Sequence, residues 1–512
     1  MQYLRNIRLF AILLSGLLIA CDDNLDEINT NETDATAIDP VFQLNNAIIE
    51  STFSNTSLVY DMGIVQQIIT PNSGIVTGAN YNQVNSDVTQ QAWQEYYRDV
   101  IKETRDILNR QDEYAERTNL IQMARIVEAN AFLILTDSYG SIPYTEAGLA
   151  FNERILYPAY DSQESIYNAL ITELQQATAA LDENAPVESA EVLFGGNIEQ
   201  WRLYGNSLLL RMGMRLSKRD PSRAQALVQE AYEAGVITSN ANNVVIRHDA
   251  NFTNVTGVTL NATEANNYYL AAPFVSYLQS NDDPRLSSIA VRYVGASSGP
   301  EQVVGPEGNG SSEPEIQVGM PLGYNNETIK AEAAAQGLVS FYEFSQADRE
   351  RVVRQTSPVF IVTAAQTQLL LAEAAQRGWI SADAGALFAS GVRAHMEQLS
   401  AYGEASAVAE EEITAYLAAH PYDEANALEQ INTQYWVASF LNGPEAFANF
   451  RRSGFPDLDP NPFPNQDITT DFIRRITYPT SEIAVNTENV NQAINIMGPD
   501  RLDTRVWWDM EE

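Results

Sequence analysis

Trp93-Gln94-Glu95-Tyr96-Tyr97-Arg98-Asp99-Val100-Ile101-Lys102-Glu103-Thr104-Arg105-Asp106-Ile107 sets Trp93, Tyr97, Val100, Thr104 and Ile107 at a 4-3-4-3 spacing. That spacing is one buried face of an amphipathic helix. The same periodicity dominates the chain. Asp161 with Glu164 reads as a cap-like start, after which Tyr167, Leu170, Leu174, Ala177 and Leu181 carry a second stripe. A third helix is predicted from about Ile198 through Trp201, Tyr204 and Leu208 to Leu216, stopped by Pro221. Thr363 to Gly378 forms another; its run Leu369-Leu370-Leu371-Ala372-Glu373-Ala374-Ala375 offers small residues that let a neighbour approach closely. Glu424 to Leu441 adds one more, ending at Asn442-Gly443-Pro444. These helices fall into consecutive pairs with aromatic and alanine contacts, which suggests tetratricopeptide-like hairpins rather than a single bundle. The expected fold class is mostly α.

Two stretches break the helical pattern. Residues 71–91 and 238–345 are rich in Asn, Thr, Gly, Ser and Tyr, with Gly299-Pro300, Gly305-Pro306 and Asn325-Asn326 as turn signals. They read as long loops with short strands inserted into the helical scaffold. Loops of that length inside a folded domain are functional or disordered.

The amino terminus has its own signature. Arg5 and Arg8 precede an apolar run, Leu9 to Ala20, that is too short for a stable transmembrane helix. The run closes with Leu18-Ile19-Ala20-Cys21, which resembles a bacterial lipobox, and Cys21 is the only cysteine of the chain. The expectation is a lipoprotein signal peptide over 1–20, lipidation at Cys21, an acidic flexible tether over 21–40, and a folded domain over 41–512. A mature chain without a thiol has no disulfides, so its core alone must hold it. Its length and an apolar fraction of 45% are sufficient. Acyl chains would anchor such a body to a membrane without spanning it.

Charge narrows the ligand. The chain carries 30 basic and 67 acidic residues, a net −37 that becomes −39 once Arg5 and Arg8 leave with the signal peptide. Such a surface repels phosphate backbones, so nucleic acid is not an expected partner, and neutral ligands fit better than anionic ones. Enzyme signatures are sparse. His248, His395 and His420 show no metal-ligand spacing, and Gly305 to Gly310 lacks the lysine of a phosphate loop. A glycosidase needs only two carboxylates a few ångströms apart, a condition that 67 acids leave without discriminating power. Asp457-Leu458-Asp459-Pro460-Asn461 approaches a calcium loop, but Pro462 stands where the turn glycine belongs and Ile468 where the bidentate glutamate belongs. No cofactor is expected, and nothing in these residues argues for catalysis.

Several short motifs, taken in order, carry a resemblance. They are Cys21-Asp22-Asp23 with Glu27-Ile28-Asn29-Thr30-Asn31, Thr136-Asp137-Ser138-Tyr139-Gly140-Ser141-Ile142-Pro143-Tyr144, Asn206-Ser207-Leu208 with Leu210-Arg211-Met212, and Asp283-Pro284-Arg285-Leu286. They continue with Leu371-Ala372-Glu373-Ala374-Ala375-Gln376-Arg377-Gly378-Trp379, Arg451-Arg452-Ser453-Gly454-Phe455-Pro456, Arg474-Arg475-Ile476-Thr477-Tyr478-Pro479 and Trp507-Trp508-Asp509. Over nearly its whole length the chain resembles the SusD/RagB family of nutrient-binding outer-membrane lipoproteins of Bacteroidetes. It departs at Asn31-Glu32-Thr33, where the family often has Asn-Pro-Asn. The resemblance implies four tetratricopeptide-like helical hairpins bearing an irregular ligand-binding region. It further implies an outer-membrane, lipid-anchored position at the cell surface, and a TonB-dependent, SusC-like transporter as partner, to which captured oligo- or polysaccharide is delivered.

The identifying motifs are not where a ligand is expected. Arg211, Arg215, Arg451 and Arg452 read as structural ion-pair partners, Trp93, Tyr96 and Tyr97 as core, and Trp507-Trp508 as a terminal plug. A neutral sugar presents an apolar C–H face and a ring of hydroxyls, which aromatic faces and amides satisfy. On that logic the expected ligand contacts are Tyr81 and Asn82, Tyr268 and Tyr269, Tyr293, and Tyr324, all in the inserted loops. Two other readings remain: the same fold capturing oligopeptides through exposed strand edges, and a surface glycoside hydrolase.

Overall fold

The helix predicted from Thr363 begins with both halves of a reciprocal cap. The Thr363 hydroxyl accepts from the Gln366 backbone N–H at 3.1 Å, and the Gln366 side chain accepts from the Thr363 N–H at 3.3 Å. In this computed structural model, which describes residues 38–72, 77–150 and 153–511, that helix runs Ala364–Gln376 and is buried along most of its length. It packs against the helix Ala384–Gln398. At the crossing, Gly391 has no room for a side chain, because a Cβ there would lie 2.8 Å from Leu369 Cγ. Small residues set this separation, as the alanine-rich sequence implied.

Three more consecutive pairs repeat the arrangement: Thr118–Tyr139 with Gln163–Ala180, Ile198–Arg215 with Pro221–Ala234, and Ala427–Ala438 with Gly443–Ser453. Cross-contacts between pairs make residues 41–512 one compact unit with a continuous apolar core. The segment holding Cys21 lies outside the described residues.

Local details differ from the sequence reading in instructive ways. The Trp93 stripe belongs to three consecutive helical segments, Ser86–Glu95, the wide π-type turn Tyr96–Ile101, and Lys102–Asn109. The wide turn shifts the register, so Tyr96 is buried while Tyr97 is only half-buried. The cap of the next helix is Ser162, whose hydroxyl accepts from Ser165 N–H at 3.1 Å. Asp161 instead accepts from the backbone N–H groups of Tyr144 and Thr145, fastening the turn after Gly140. Pro221 opens the following helix as well as closing its predecessor, with Asp220 as the cap. Likewise Asn442-Gly443-Pro444 starts a helix, the Asn442 side chain accepting from Glu445 N–H.

The segments expected as loops are more structured than that. Residues 71–91 contain the short helix Gly78–Tyr81 and the start of Ser86–Glu95. Residues 238–345 carry Ala272–Ser280 and Ile329–Ala335 together with short antiparallel strands. Ile68–Ile69 pairs with Tyr269–Leu270, Val244–Ile246 with Val359–Val362, and Ala290–Tyr293 lies between Gly310–Ser311 and Gln346–Ala347. The first two sheets join the insertion to segments outside it, which pins it to the scaffold, while the third ties the insertion to itself.

The resemblance motifs build a buried polar framework. Asp137 accepts from Tyr167 Oη at 2.5 Å and from Trp508 Nε1 at 2.7 Å, and lies 3.3 Å from Arg215. Arg215 and Arg211 both reach Glu445, at 2.6 and 3.1 Å. Arg451 donates to the carbonyls of Asp137 and Arg474 and lies over the rings of Phe447 and Trp508. Trp508 is therefore the plug, tying the carboxyl-terminal segment to the first helical pair, while Trp507 is half-buried against Tyr167 and Arg219.

One carboxyl has no such partner. Asp61 is buried beneath Gly443, and its Oδ1 makes no hydrogen bond. Burial pushes its pKa up to about 8, with Arg451 acting in the opposite sense. The unfolded chain releases this proton near pH 4, whereas the folded protein holds it until about pH 8. The contribution is full below the unfolded value and is lost as pH rises through the folded one. Asp61→Asn should thus become more stable relative to the parent as melting scans move from pH 5 to pH 8; a gap independent of pH would refute the buried neutral acid.

Candidate functional site

Four parts of the chain converge at one edge of the insertion: 68–72 with 77–83, 264–271, 318–326 and 459–467. Strand pairing of Ile68–Ile69 with Tyr269–Leu270 joins the first two, and a bridge from Ala271 to Met320 adds the third. The fourth is held by amides. Asn461 donates to the Ala79 and Asn80 carbonyls, Asn82 donates to Gln466 Oε1 at 2.9 Å, and Asp467 accepts from Val84 N–H at 2.9 Å. Asn461 is thereby committed to backbone groups, and its Oδ1 accepts from Phe463 N–H. Among the described residues no grouping of three His, Cys, Asp or Glu side chains could hold a metal ion.

Most of the expected ligand contacts serve as internal packing. Tyr81 is 1% exposed, donates its hydroxyl to the Pro71 carbonyl at 2.7 Å, and lies against Phe463 with ring centres 4.0 Å apart. Asn82 is 4% exposed and takes a left-handed conformation, φ 50°, as the cap of the Gly78–Tyr81 helix. Tyr268 and Tyr269 are buried, the Tyr269 hydroxyl donating to the Asn266 carbonyl at 2.6 Å. Tyr293 is buried under the Arg349 guanidinium, 4.9 Å from the ring centre. The expectation that these five present open faces is corrected. Tyr269 and Tyr293 fall in two small apolar cores of the insertion, Tyr268 joins the main core, and Tyr81 is covered by Phe463, each ring burying its apolar area internally.

Tyr324 differs. It is half-buried, with its hydroxyl donating to Glu332 Oε2 at 3.1 Å, next to Asn325 and Asn326, which are also partly exposed. Its neighbour Gly323, at φ +85°, abuts Pro462, since a Cβ there would lie 2.6 Å from Pro462 Cγ. That contact brings Tyr324 to the edge carrying Phe463, likewise half-buried and flanked by exposed Pro462 and Pro464. Phe463 follows the acid-rich stretch Asp457–Asn461, whose calcium-like spacing masks it in the sequence. Proline on both sides, which keeps a chain extended and out of helices, was the available signal.

A larger cleft of about 510 Å³ lies elsewhere, between the Ala272–Ser280 helix, Pro314–Glu315 and the helix Glu410–Ala419. Its lining mixes aliphatic and polar side chains, with exposed acceptors at Asp282, Glu315 and Glu412. Its donors are already used: Gln279 donates to the Pro314 and Gln317 carbonyls, and Ser287 to Pro284. His420 covers the Tyr416 ring at 4.2 Å. A ligand rich in hydroxyls needs donors as well as acceptors, and this cleft offers it little beyond acceptors.

Helical hairpins thus carry a pinned, amide-rich insertion with an aromatic edge on a repeat scaffold. The chain belongs to the SusD-like family, whose model, described as starch-binding and associating with the outer membrane, matches residues 31–479. It is similar to a chitin-binding protein of known structure at 26% identity and a TM-score of 0.81, with 92% of this chain and 100% of that one covered. A SusD-like protein of Bacteroidetes AC2a matches at 25% identity and a TM-score of 0.78, covering 93% and 100%. A chitin-binding SusD homologue from Flavobacterium johnsoniae shares the fold at 24% identity and a TM-score of 0.72, covering 92% and 95%. No curated protein matches the chain. Among the described residues no helix is long and apolar enough to cross a membrane.

Proposed function

We propose that this protein captures a neutral oligo- or polysaccharide at the cell surface and delivers it to a TonB-dependent, SusC-like transporter, without turnover of the ligand. Lipidation at Cys21 would hold it in the outer membrane, with the segment up to residue 40 as spacer. The observation that carries the reading is the half-exposed Tyr324–Phe463 edge beside Glu332, Asn325 and Asn326, in a chain whose family is described as starch-binding. Aromatic faces accept the C–H side of a sugar while the amides and the carboxylate bond its hydroxyls. The net charge of −37 favours a neutral glycan over an acidic one.

The test is a binding screen of the full chain in detergent against neutral glycans and peptides, with calorimetry on each hit and chromatography of the ligand after prolonged incubation. Binding of a glycan that is recovered intact is the expected result. Binding to peptides alone would replace the glycan reading, and shortened saccharide chains would show a hydrolase.

A further inference from the structure

A cleft of about 350 Å³ lies away from the Tyr324 edge, between the sheet formed by Val244–Ile246 with Val359–Val362 and the end of the helix Ala384–Gln398. Its volume falls in the range of small-ligand sites. Val245 and Phe360 are cross-strand partners, and Pro358, two residues before Phe360, also lines the cleft. Together they form an apolar strip on one face of the sheet.

Polar groups of complementary kinds surround that strip. Arg247 lines the cleft, is exposed, and forms no ion pair among the described residues, whereas most arginines of this acidic chain do. His248 Nδ1 lies 3.0 Å from the Phe252 carbonyl oxygen. A carbonyl only accepts, so Nδ1 carries the hydrogen and Nε2 is left as a bare acceptor. That Nε2 is buried and has no partner, and a buried polar atom without a partner calls for a ligand or water to satisfy it. Burial also lowers the His248 pKa, which keeps the ring neutral. Glu397, which Arg393 approaches to 3.6 Å, adds a second acceptor, the Thr356 hydroxyl serves in either sense, and the Ser400 hydroxyl, which donates to the Glu397 carbonyl at 2.7 Å, can only accept.

The wall behind these groups is fixed. Asn240 donates to the Ala394 carbonyl at 2.8 Å, Asn243 donates to Asn240 Oδ1 at 3.1 Å, and Asn243 Oδ1 accepts from Ala364 N–H at 2.7 Å. Such a site needs little reorganisation to bind.

We propose that this cleft is a second saccharide site, taking a neutral sugar unit with its C–H face on Val245, Pro358 and Phe360 and its hydroxyls on Arg247, His248 and Glu397. The inference rests on the glycan reading above and extends it from one site to two. A long chain held at two points would dissociate more slowly than one held at either alone.

The test uses the full chain in detergent, titrated with glucose and N-acetylglucosamine oligomers of four to six units. Calorimetry is paired with nitrogen-15 spectra of the imidazoles, of which the chain has three. Two binding events are expected. Arg247→Ala should weaken one of them by about tenfold, a loss of about 1.4 kcal/mol, and Tyr324→Ala the other. The His248 Nε2 resonance should move on sugar addition and should still move in Tyr324→Ala. Unaltered melting of Arg247→Ala, whose side chain is exposed, guards against unfolding. A single event, insensitive to Arg247→Ala and without movement of His248, would overturn the second site while leaving the first. If neither series binds the parent chain, the glycan reading falls and this inference falls with it.

Discussion

Glu373→Met is expected to destabilise the protein by about 3–5 kcal/mol, the cost of leaving a buried charge without its partner. Glu373 sits in the middle of the alanine-rich helix, fully buried. Arg452 grips it with two bonds, at 2.8 and 2.7 Å, and Arg377 adds a third at 2.9 Å. Asn432 and Asn449 satisfy the remaining guanidinium and carboxylate positions. Removing the carboxylate leaves Arg452 charged and buried with neutral acceptors only. Glu373→Met with Arg452→Met removes both charges at similar volume and should recover much of the loss, because a well-packed apolar pair replaces a buried ion pair at little net cost. Chemical denaturation of the two singles and the double closes the cycle. A single-variant cost below about 1 kcal/mol would show that water reaches the pair, since exposed ion pairs contribute no more than that.

The same pair gives a pH signature. Burial by itself would raise the Glu373 pKa, but Arg452 and then Arg377 outweigh it and hold the carboxyl down at about 2. The depressed pKa contributes stability that is present above the unfolded value of about 4.3. That contribution is lost as pH falls toward about 2. The gap between parent and Glu373→Met should therefore narrow in melting scans from pH 5 down to pH 2.5.

Tyr324→Ala is expected to weaken glycan binding by tenfold or more, with Phe463→Ala similar and Tyr324→Phe nearly silent. An aromatic face contributes through buried area and geometry, about 1–2 kcal/mol in this setting, and tenfold is about 1.4 kcal/mol. The hydroxyl of Tyr324 is already committed to Glu332, so its removal in Tyr324→Phe should leave the sugar face intact. Phe463→Ala also uncovers one side of Tyr81, which adds a loss of stability to the loss of affinity. Tyr81→Ala should behave in the opposite proportion, with lower melting temperature outweighing any direct effect on ligand, because its hydroxyl and ring are engaged internally. Equal affinity in parent and Tyr324→Ala would remove this edge from the site.

Much of the scaffold was legible in the residues themselves. The stripes Tyr167–Leu181 and Ile198–Leu216 and the alanine-rich run at 369–375 became helices because periodicity 3.6 leaves one apolar face that must be buried. Arginines 211, 215 and 452 were legible as ion-pair partners, whereas Arg451, read the same way, donates to carbonyls instead. Caps were legible to within a residue: Ser162 took the role read onto Asp161 because Asp161 is needed by the turn at Tyr144–Thr145.

The ligand face was not legible in the same way. Tyr81, Tyr269 and Tyr293 look like Tyr324 in sequence, each an aromatic among amides and glycines. Exposure separates them, and exposure is set by which distant segment folds over each ring: Phe463 over Tyr81, Phe341 beside Tyr269, Arg349 over Tyr293. The sequence by itself determined the repeat class, the family and the acidic character that favours neutral ligands, because periodicity, motif order and charge are local or additive quantities. Only the tertiary structure decided which aromatics remain open and that Pro462 meets Gly323 to bring Phe463 to the edge bearing Tyr324. Those are contacts between residues dozens to hundreds of positions apart, and no local pattern encodes which side of a ring they leave uncovered.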